Sequence, residues 1–306
     1  MRKLVAALLF VVLVAAFIPV ASAETTAEFF VQYGNVEIYS MAYNYREKAN
    51  EAILFLPGLG GDHTHAEFLF HPDNKYMTVT LDYPNHGKSG QVEAGAISWG
   101  FLLGSIRAVA DHYGLKKINL VGHSFGADVA MMFACTYPKL VNDIVLIDRA
   151  YYNFADMEQF NFTRNLVELL EYNPYSGLSY DAFLQYLNLA YDNDIRDTWD
   201  LKKKVLLISA DPSVYLTLPG LIAMLKTDPE FYGLPPEQAA LLPDISDSDA
   251  QALCDFLLDS AAAFGENHNR FDVLPTPFPH GMILMPDIRE EVRGYVLGYL
   301  KNKKPI

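Results

Sequence analysis

Cysteine is nearly absent from this chain. Two thiols, Cys135 and Cys254, occur in 306 residues, too few for a disulfide framework or a Cys-rich metal site. Both fall in segments that read as apolar helices, "MMFACTYP" and "QALCDFLL", and are expected as two separately buried thiols. Positive charge is scarce as well: 23 Lys and Arg stand against 37 Asp and Glu, a formal net charge of −14. Such a surface repels phosphate backbones and anionic lipid, which argues against nucleic acid as a partner. Beyond the first 20 residues no apolar run is long enough to cross a bilayer. Internal repeats and low-complexity linkers are also missing.

The N-terminus is the exception to these absences. A basic start (Arg2, Lys3), an apolar run from Leu4 to Val20 and Ala21-Ser22-Ala23 together match a secretory signal peptide with its small-residue exit. An uncleaved anchor is the rival reading. Cleavage after residue 23 removes two positive charges and no negative ones, so −14 becomes −16 and the exported, periplasmic or extracellular chain begins at Glu24. No Cys follows the cleavage point, which argues against a lipid anchor, and no stable membrane insertion is expected after processing.

Hydrophobic residues make up 51% of the chain, enough for a sizeable core. "EFFVQYGNVEIYSMAY" reads as a hairpin with Gly34-Asn35 at its turn. "AILFLPGLGG", "YMTVTLDYPNHGKSG" and "KINLVGHSFG" read as short buried strands that end in loops, and "DIVLIDRA", "KVLLISADPS" and "RFDVLPTP" add three more. Helical spacing marks residues 98–113, "GADVAMMFACTYP" and "PDIREEVRGYVLGYLK", the last opened by Pro286. Strands alternating with helices predict a doubly wound α/β fold around a mostly parallel eight-stranded sheet, with helices on both faces. Functional loops then gather at the carboxyl ends of the strands. Residues 24–150 and 201–306 supply this core. Residues 151–200, crowded with Tyr and Phe, read as an inserted helical lid, and 212–268 as a second helical insertion. "DISDSD" in the latter lacks the turn Gly and bidentate Glu of a calcium loop, so Ser246 or Ser248 is expected to cap a helix.

The chemistry centres on "GHSFG". A Gly-x-Ser-x-Gly turn between strand and helix holds its serine in a strained, exposed conformation, which makes Ser124 the candidate nucleophile. A serine hydroxyl needs a base, and the base an orienting acid. Of eight histidines, His280 in "PFPHGMILMPD" follows the last strand and is the candidate base. His268 precedes that strand, at its wrong end. His123, adjacent to the serine, is read as loop packing. His63, His65 and His71 share a polar loop without Cys and are expected to be solvated, not metal-bound. Two carboxylates end strands: Asp211, one strand later and opening a loop, is favoured as the acid, and Asp148 is the alternative. The backbone N–H groups of Leu59, in "PGLGGD", and Phe125 would form an oxyanion hole.

Four motifs in order, "LFLPGLGGD", "LDYPNHGKSG", "GHSFG" and "HGMILMPD", resemble those of the α/β-hydrolase superfamily and its lid-bearing serine esterase and lipase-like branch. Pro57 stands where a His often precedes the oxyanion Gly, and Asn85 replaces a Gly of the second motif, a swap the left-handed conformation tolerates. The resemblance implies a serine esterase acting on a small-molecule ester through Ser124, Asp211 and His280 in the superfamily's chain order, with no metal or organic cofactor; the N-terminal segment adds export, and the aromatic lid an apolar group on the substrate. Superfamily members with an Asp nucleophile, the epoxide hydrolases and haloalkane dehalogenases, are excluded by Ser124. Acyl transfer to an alcohol or thiol with the same residues, or silent ligand binding in the lidded pocket, are the alternatives.

Overall fold

The computed structural model describes residues 25–47, 49, 51–172, 176–231, 234–267 and 270–304. The expected signal peptide and His268 lie outside the described residues. Eight strands form one sheet: β1 (Thr26–Tyr33), β2 (Val36–Tyr43), β3 (Glu51–Leu56), β4 (Met77–Leu81), β5 (Lys117–His123), β6 (Val141–Ile147), β7 (Lys204–Ser209) and β8 (Phe271–Pro275), in the order β1-β2-β4-β3-β5-β6-β7-β8. β2 runs antiparallel to β1 and β4, and every other pairing is parallel. The predicted hairpin is present, its turn opened by Gly34 at φ +58°.

The central strands are apolar on both faces because alternate residues feed two separate cores. Leu54, Leu120, Leu146 and Leu207 point into one. Ile53, Phe55, Val121, Val145 and Ile208 point into the other. Helices α1 (Trp99–His112) and α2 (Phe125–Thr136) cover the first face, α1 capped by the Ser98 hydroxyl, which accepts from Phe101 N. The last helix, which begins three residues after Pro286, covers the second face with Val292, Val296 and Tyr299.

Two helical segments interrupt the α/β alternation. Between β6 and β7 lie α3 (Arg164–Glu171) and α4 (Tyr180–Asp192); between β7 and β8 lie α5 (Leu218–Thr227) and α6 (Asp247–Asn267). The terminal helix is α7 (Arg289–Asn302). Ser246 caps α6 as expected: its Oγ accepts from Asp249 N at 3.1 Å, and Asp249 Oδ2 accepts from Ser246 N at 2.9 Å. No described helix is long and apolar enough to cross a membrane.

Two expectations need correction. Cys254 is buried, but Cys135 is exposed at the end of α2, because the stripe of α2 that packs on the sheet ends with Phe133 and Ala134. The loop with His63, His65 and His71 is not a solvated tether. Residues His63–Leu69 coil into a 3-10 helix whose Ala66, Phe68 and Leu69 join the second core.

One buried ion pair fastens β6 to α2. Arg149 donates from Nε to Asp128 Oδ2 at 3.0 Å, with both side chains at most 3% exposed. The guanidinium lies over Phe154 at 3.7 Å and Tyr152 at 4.5 Å, a planar, weakly hydrated cation between aromatic faces. Burial works against its charge, but the Asp128 carboxylate more than offsets this and holds its pKa above the usual arginine range. Arg149→Met strands the Asp128 charge and is expected to destabilise the fold by about 3–5 kcal/mol in urea titration, most of it recovered when Asp128→Leu is added.

Candidate active site

Ser124 stands at the turn from β5 into α2 with φ 52° and ψ −128°, a backbone conformation that few residues other than glycine adopt. The flanking glycines are required by close approach. A Cβ at Gly122 would lie 2.2 Å from Gly126 O, and one at Gly126 would lie 2.0 Å from Leu56 O. Only without those methyls can α2 start against β5 and the end of β3. The Phe125 N–H opens α2, among the first amides of a helix, which have no intrahelical acceptor.

Hydrogen bonds stitch the loops at the carboxyl edge together. Ser124 N donates to Ile147 O at the end of β6, Asp148 N to Ile208 O at the end of β7, and Thr276 N to Ser209 O. The loop after β8 then brings His280 back across the edge, where its Nδ1 meets Asp148 Oδ2 at 2.7 Å. Since an ionised carboxylate only accepts, Nδ1 carries the proton, which leaves Nε2 as the ring's basic atom.

Asp148, not the favoured Asp211, is therefore the carboxylate paired with His280. The Asp211 side chain is spent locally: it accepts from Ser213 N and Ser213 Oγ, each at 2.9 Å, and caps the 3-10 turn Pro212–Thr217. Asp148 adopts φ 52°, which swings its carboxylate across β7. There Oδ1 accepts from Ala210 N at 2.8 Å and Tyr151 Oη at 3.1 Å. Desolvation alone would raise the Asp148 pKa; His280 and these two donors outweigh it and leave it lowered. For His280 desolvation acts downward, and the hydrogen bond and charge of Asp148, with a contribution from Glu171, leave its pKa above the ordinary 6.5. The His280 side chain is 37% exposed and that of Asp148 only 9%, so the imidazole is open to solvent while its partner stays dry.

The loop that carries Leu59 is gripped on both sides. Tyr83 Oη donates to Pro57 O at 3.1 Å, and His86 Nε2 accepts from Gly60 N at 3.2 Å. His86 in turn donates from Nδ1 to Pro84 O at 3.1 Å, and Tyr186 of α4 lies against its ring at 4.8 Å. Burial pushes the His86 pKa down to about 4, the bond to Pro84 opposing; the neutral ring is the form that can accept from Gly60. Asn85 takes φ 68°, the left-handed conformation expected of it. Its side chain closes the loop by exchanging hydrogen bonds with Val92.

Asp62, His63 and Asp82 bring three ligand atoms within 4.8 Å of one another, the one such grouping among the described residues. Asp82 is already engaged, accepting from His63 N, His63 Nδ1 and Lys88 N. A Cβ at Gly87 would meet its Oδ2 at 2.2 Å. The group works as a hydrogen-bonded brace between two loops. A separate cavity of about 730 Å³ opens between α3 and α5, lined by apolar residues that include Leu169, Tyr172, Leu221, Leu225 and Leu242.

The sequence offers the first of these arrangements, Asp148 with His280, only as the alternative to Asp211, and the other three not at all: the Tyr151 hydroxyl on Asp148, the Arg149–Asp128 pair and the grip of His86 on Gly60. "DPS" carried a usable signal for the first, since Asp before a Pro at the first helical position is a cap signature. The Tyr151 and Arg149 contacts sit on a segment with positive φ at Asp148 and Ala150, which no spacing announces, and the His86 grip joins two loops 26 residues apart in the sequence.

An eight-stranded, mostly parallel sheet with a strained Ser elbow beside an Asp–His pair marks the α/β class of hydrolases. A family model described as alpha/beta hydrolase fold matches residues 51–223, more than half of the chain, and the protein belongs to that family. Among curated relatives, ethanol acetyltransferase 1 of Cyberlindnera jadinii is 29% identical over 141 residues, 43% of this chain and 40% of that protein. A serine hydrolase-like protein of Danio rerio is 32% identical over 94 residues, covering 30% and 28%. A putative esterase/lipase of Haemophilus influenzae is 29% identical over 113 residues, covering 36% and 39%. The chain thus spans two fifths or less of the length of these relatives. Among solved structures, an alpha/beta hydrolase enzyme from a Medee basin deep-sea metagenome library aligns with a TM-score of 0.64 at 16% identity, covering 92% of this chain and 99% of that one. An esterase from Exiguobacterium antarcticum gives 0.61 at 16%, covering 90% and 100%.

A pH dependence follows from the grip of His86. Between about pH 6.5 and 4 the unfolded chain binds a proton at this position that the fold refuses, so stability falls as pH drops through that window. His86→Asn should flatten the slope of unfolding free energy against pH by up to about 1.4 kcal/mol per pH unit in denaturant titrations.

Proposed function

We propose that the protein is an exported serine hydrolase of carboxylic esters, with the segment between β6 and β7 as its lid. The observation that carries this reading is Ser124 on the strained elbow at the same sheet edge as the Asp148–His280 pair. In the proposed reaction His280 Nε2 takes the proton of Ser124 Oγ as the oxygen attacks the acyl carbon. The N–H groups of Leu59 and Phe125 receive the oxyanion. The alcohol leaves with the proton from His280, forming an acyl-enzyme on Ser124. His280 then deprotonates water, which attacks the acyl group and releases the acid. Asp148 stays ionised throughout, holding the tautomer and stabilising the imidazolium.

Transfer of the acyl group to an alcohol is the second reading, favoured by the similarity to an ethanol acetyltransferase. Acid release measured against ester formation in added ethanol separates the two. A fluorophosphonate probe should label the protein and fail to label Ser124→Ala. Labelling that survives this substitution overturns the assignment, and no labelling of the wild type returns the silent binding protein. On p-nitrophenyl esters of rising chain length, Asp148→Asn should lower kcat by on the order of 10³- to 10⁴-fold, while Asp211→Asn leaves it near wild type. Because the base must be neutral, wild-type kcat/KM should fall on the acid side with a midpoint above 6.5, the ordinary value that His280 exceeds. A midpoint below that value contradicts the pairing with Asp148.

A further inference from the structure

His123, the residue directly before Ser124, closes β5 and is 4% exposed. Its Nε2 lies 2.9 Å from His280 O, and since a carbonyl can only accept, Nε2 must carry a proton. Its Nδ1 is buried without a hydrogen-bond partner among the described residues, facing Gly58, where an added Cβ would lie 3.4 Å from Nδ1 and 3.2 Å from Ser124 Cβ. The two imidazoles stand 5.0 Å apart at 36°. His65 stands on the other side of His123 at 6.4 Å.

The His280 ring has to serve two partners at once, Asp148 through Nδ1 and Ser124 through Nε2. Its side chain is fixed on the Asp148 side, but its backbone sits in the loop after β8, with Pro279 before it and a short 3-10 turn after it. The carbonyl of His280 is therefore the place where that loop can be indexed to the elbow. We propose that His123 is a positioning residue for the base: its Nε2–H clamps the His280 carbonyl and so sets the ring of His280 against the Ser124 hydroxyl one residue away. This rests on the reading of Ser124 and His280 as nucleophile and base. A charged ring here would oppose the imidazolium formed during turnover. Burial, with the neighbouring His280, pushes the His123 pKa down to about 3, although the carbonyl acts the other way. The donor is thus neutral and present throughout the working range.

His123→Phe keeps the ring and removes the donor, whereas His123→Gln puts an amide N–H near the place of Nε2. The Phe variant should lose about ten- to a hundredfold in kcat, the scale set by a misplacement of about an ångström, with KM little changed. Its acid-side midpoint should shift downward as the Asp148 contact loosens, and Gln should restore both rate and midpoint. A Phe variant that keeps the wild-type kcat and midpoint overturns the proposal, as does a Gln variant as impaired as Phe, which would reduce His123 to packing. Should Phe fail to fold, nitrogen-15 NMR of the wild type decides. The proposal requires His123 in the Nε2–H form without titration between about pH 5 and 8, and an Nδ1–H form or a titrating ring contradicts it. Esterase activity surviving in Ser124→Ala marks failure of the underlying reading; loss in Ser124→Ala with no effect of His123→Phe marks failure of this inference alone.

Discussion

The left-handed backbone of Ser124 is the constraint around which the molecule is built. A residue at φ 52° is held there only if its surroundings over-determine it. The surroundings are the sheet on one side and α2 on the other, brought together by two glycines with no room for a methyl. The cost is local and of the order of 1–3 kcal/mol. The two cores that flank β3, β5, β6 and β7 offset it many times over. Removing the helix or the sheet would let the turn relax; the strain is thus a property of the fold, not of the pentapeptide.

From that turn the rest of the site is reached through hydrogen bonds between neighbouring strand ends. Ser124 hangs on β6, Asp148 on β7 and Thr276 on β7 from the other side, so the relative placement of the three loops that carry Ser124, Asp148 and His280 is inherited from the register of a parallel sheet. Charge is then handled by opposite means at neighbouring positions. Asp148 and Arg149 follow each other in sequence, yet one carboxylate is satisfied by three donors while the guanidinium lies between aromatic rings and pairs with Asp128. His86 and His123 are kept neutral by burial, and each is useful because it is neutral.

Much of this was legible beforehand. All eight strands, the hairpin, the helices that cover the sheet and both insertions follow from apolar runs and their breakers, because strand burial on two faces leaves a strong local imprint in the residues. The strand-to-helix turn at Ser124 and the loop of His280 are readable for the same reason: each sits where a strand stops and a loop of special residues starts. The partner of His280 is Asp148 and not the favoured Asp211; two carboxylates satisfy that description. Sequence position gave no weight to a left-handed turn at Asp148, and the cap signature of Asp211-Pro212-Ser213 was passed over. The exposure of Cys135 was missed because an apolar run conceals which residue of the last helical turn faces away from the sheet.

Seating the carboxylate partner of His280 after β6 has a consequence for how the chain can change. The Asp148 carboxylate is held by Ala210 N, Tyr151 and His280, and the loop of His280 is tied at the mouth of the second insertion by Asp211 N, which donates to Phe278 O at 2.8 Å. Beyond that tie, the side chains of the second insertion make none of these hydrogen bonds. Its sequence can be rewritten, lengthened or exchanged to fit another molecule in the groove it shares with α3, without a compensating change in the machinery beneath. On the proposed reading, the part that selects is separate from the part that reacts.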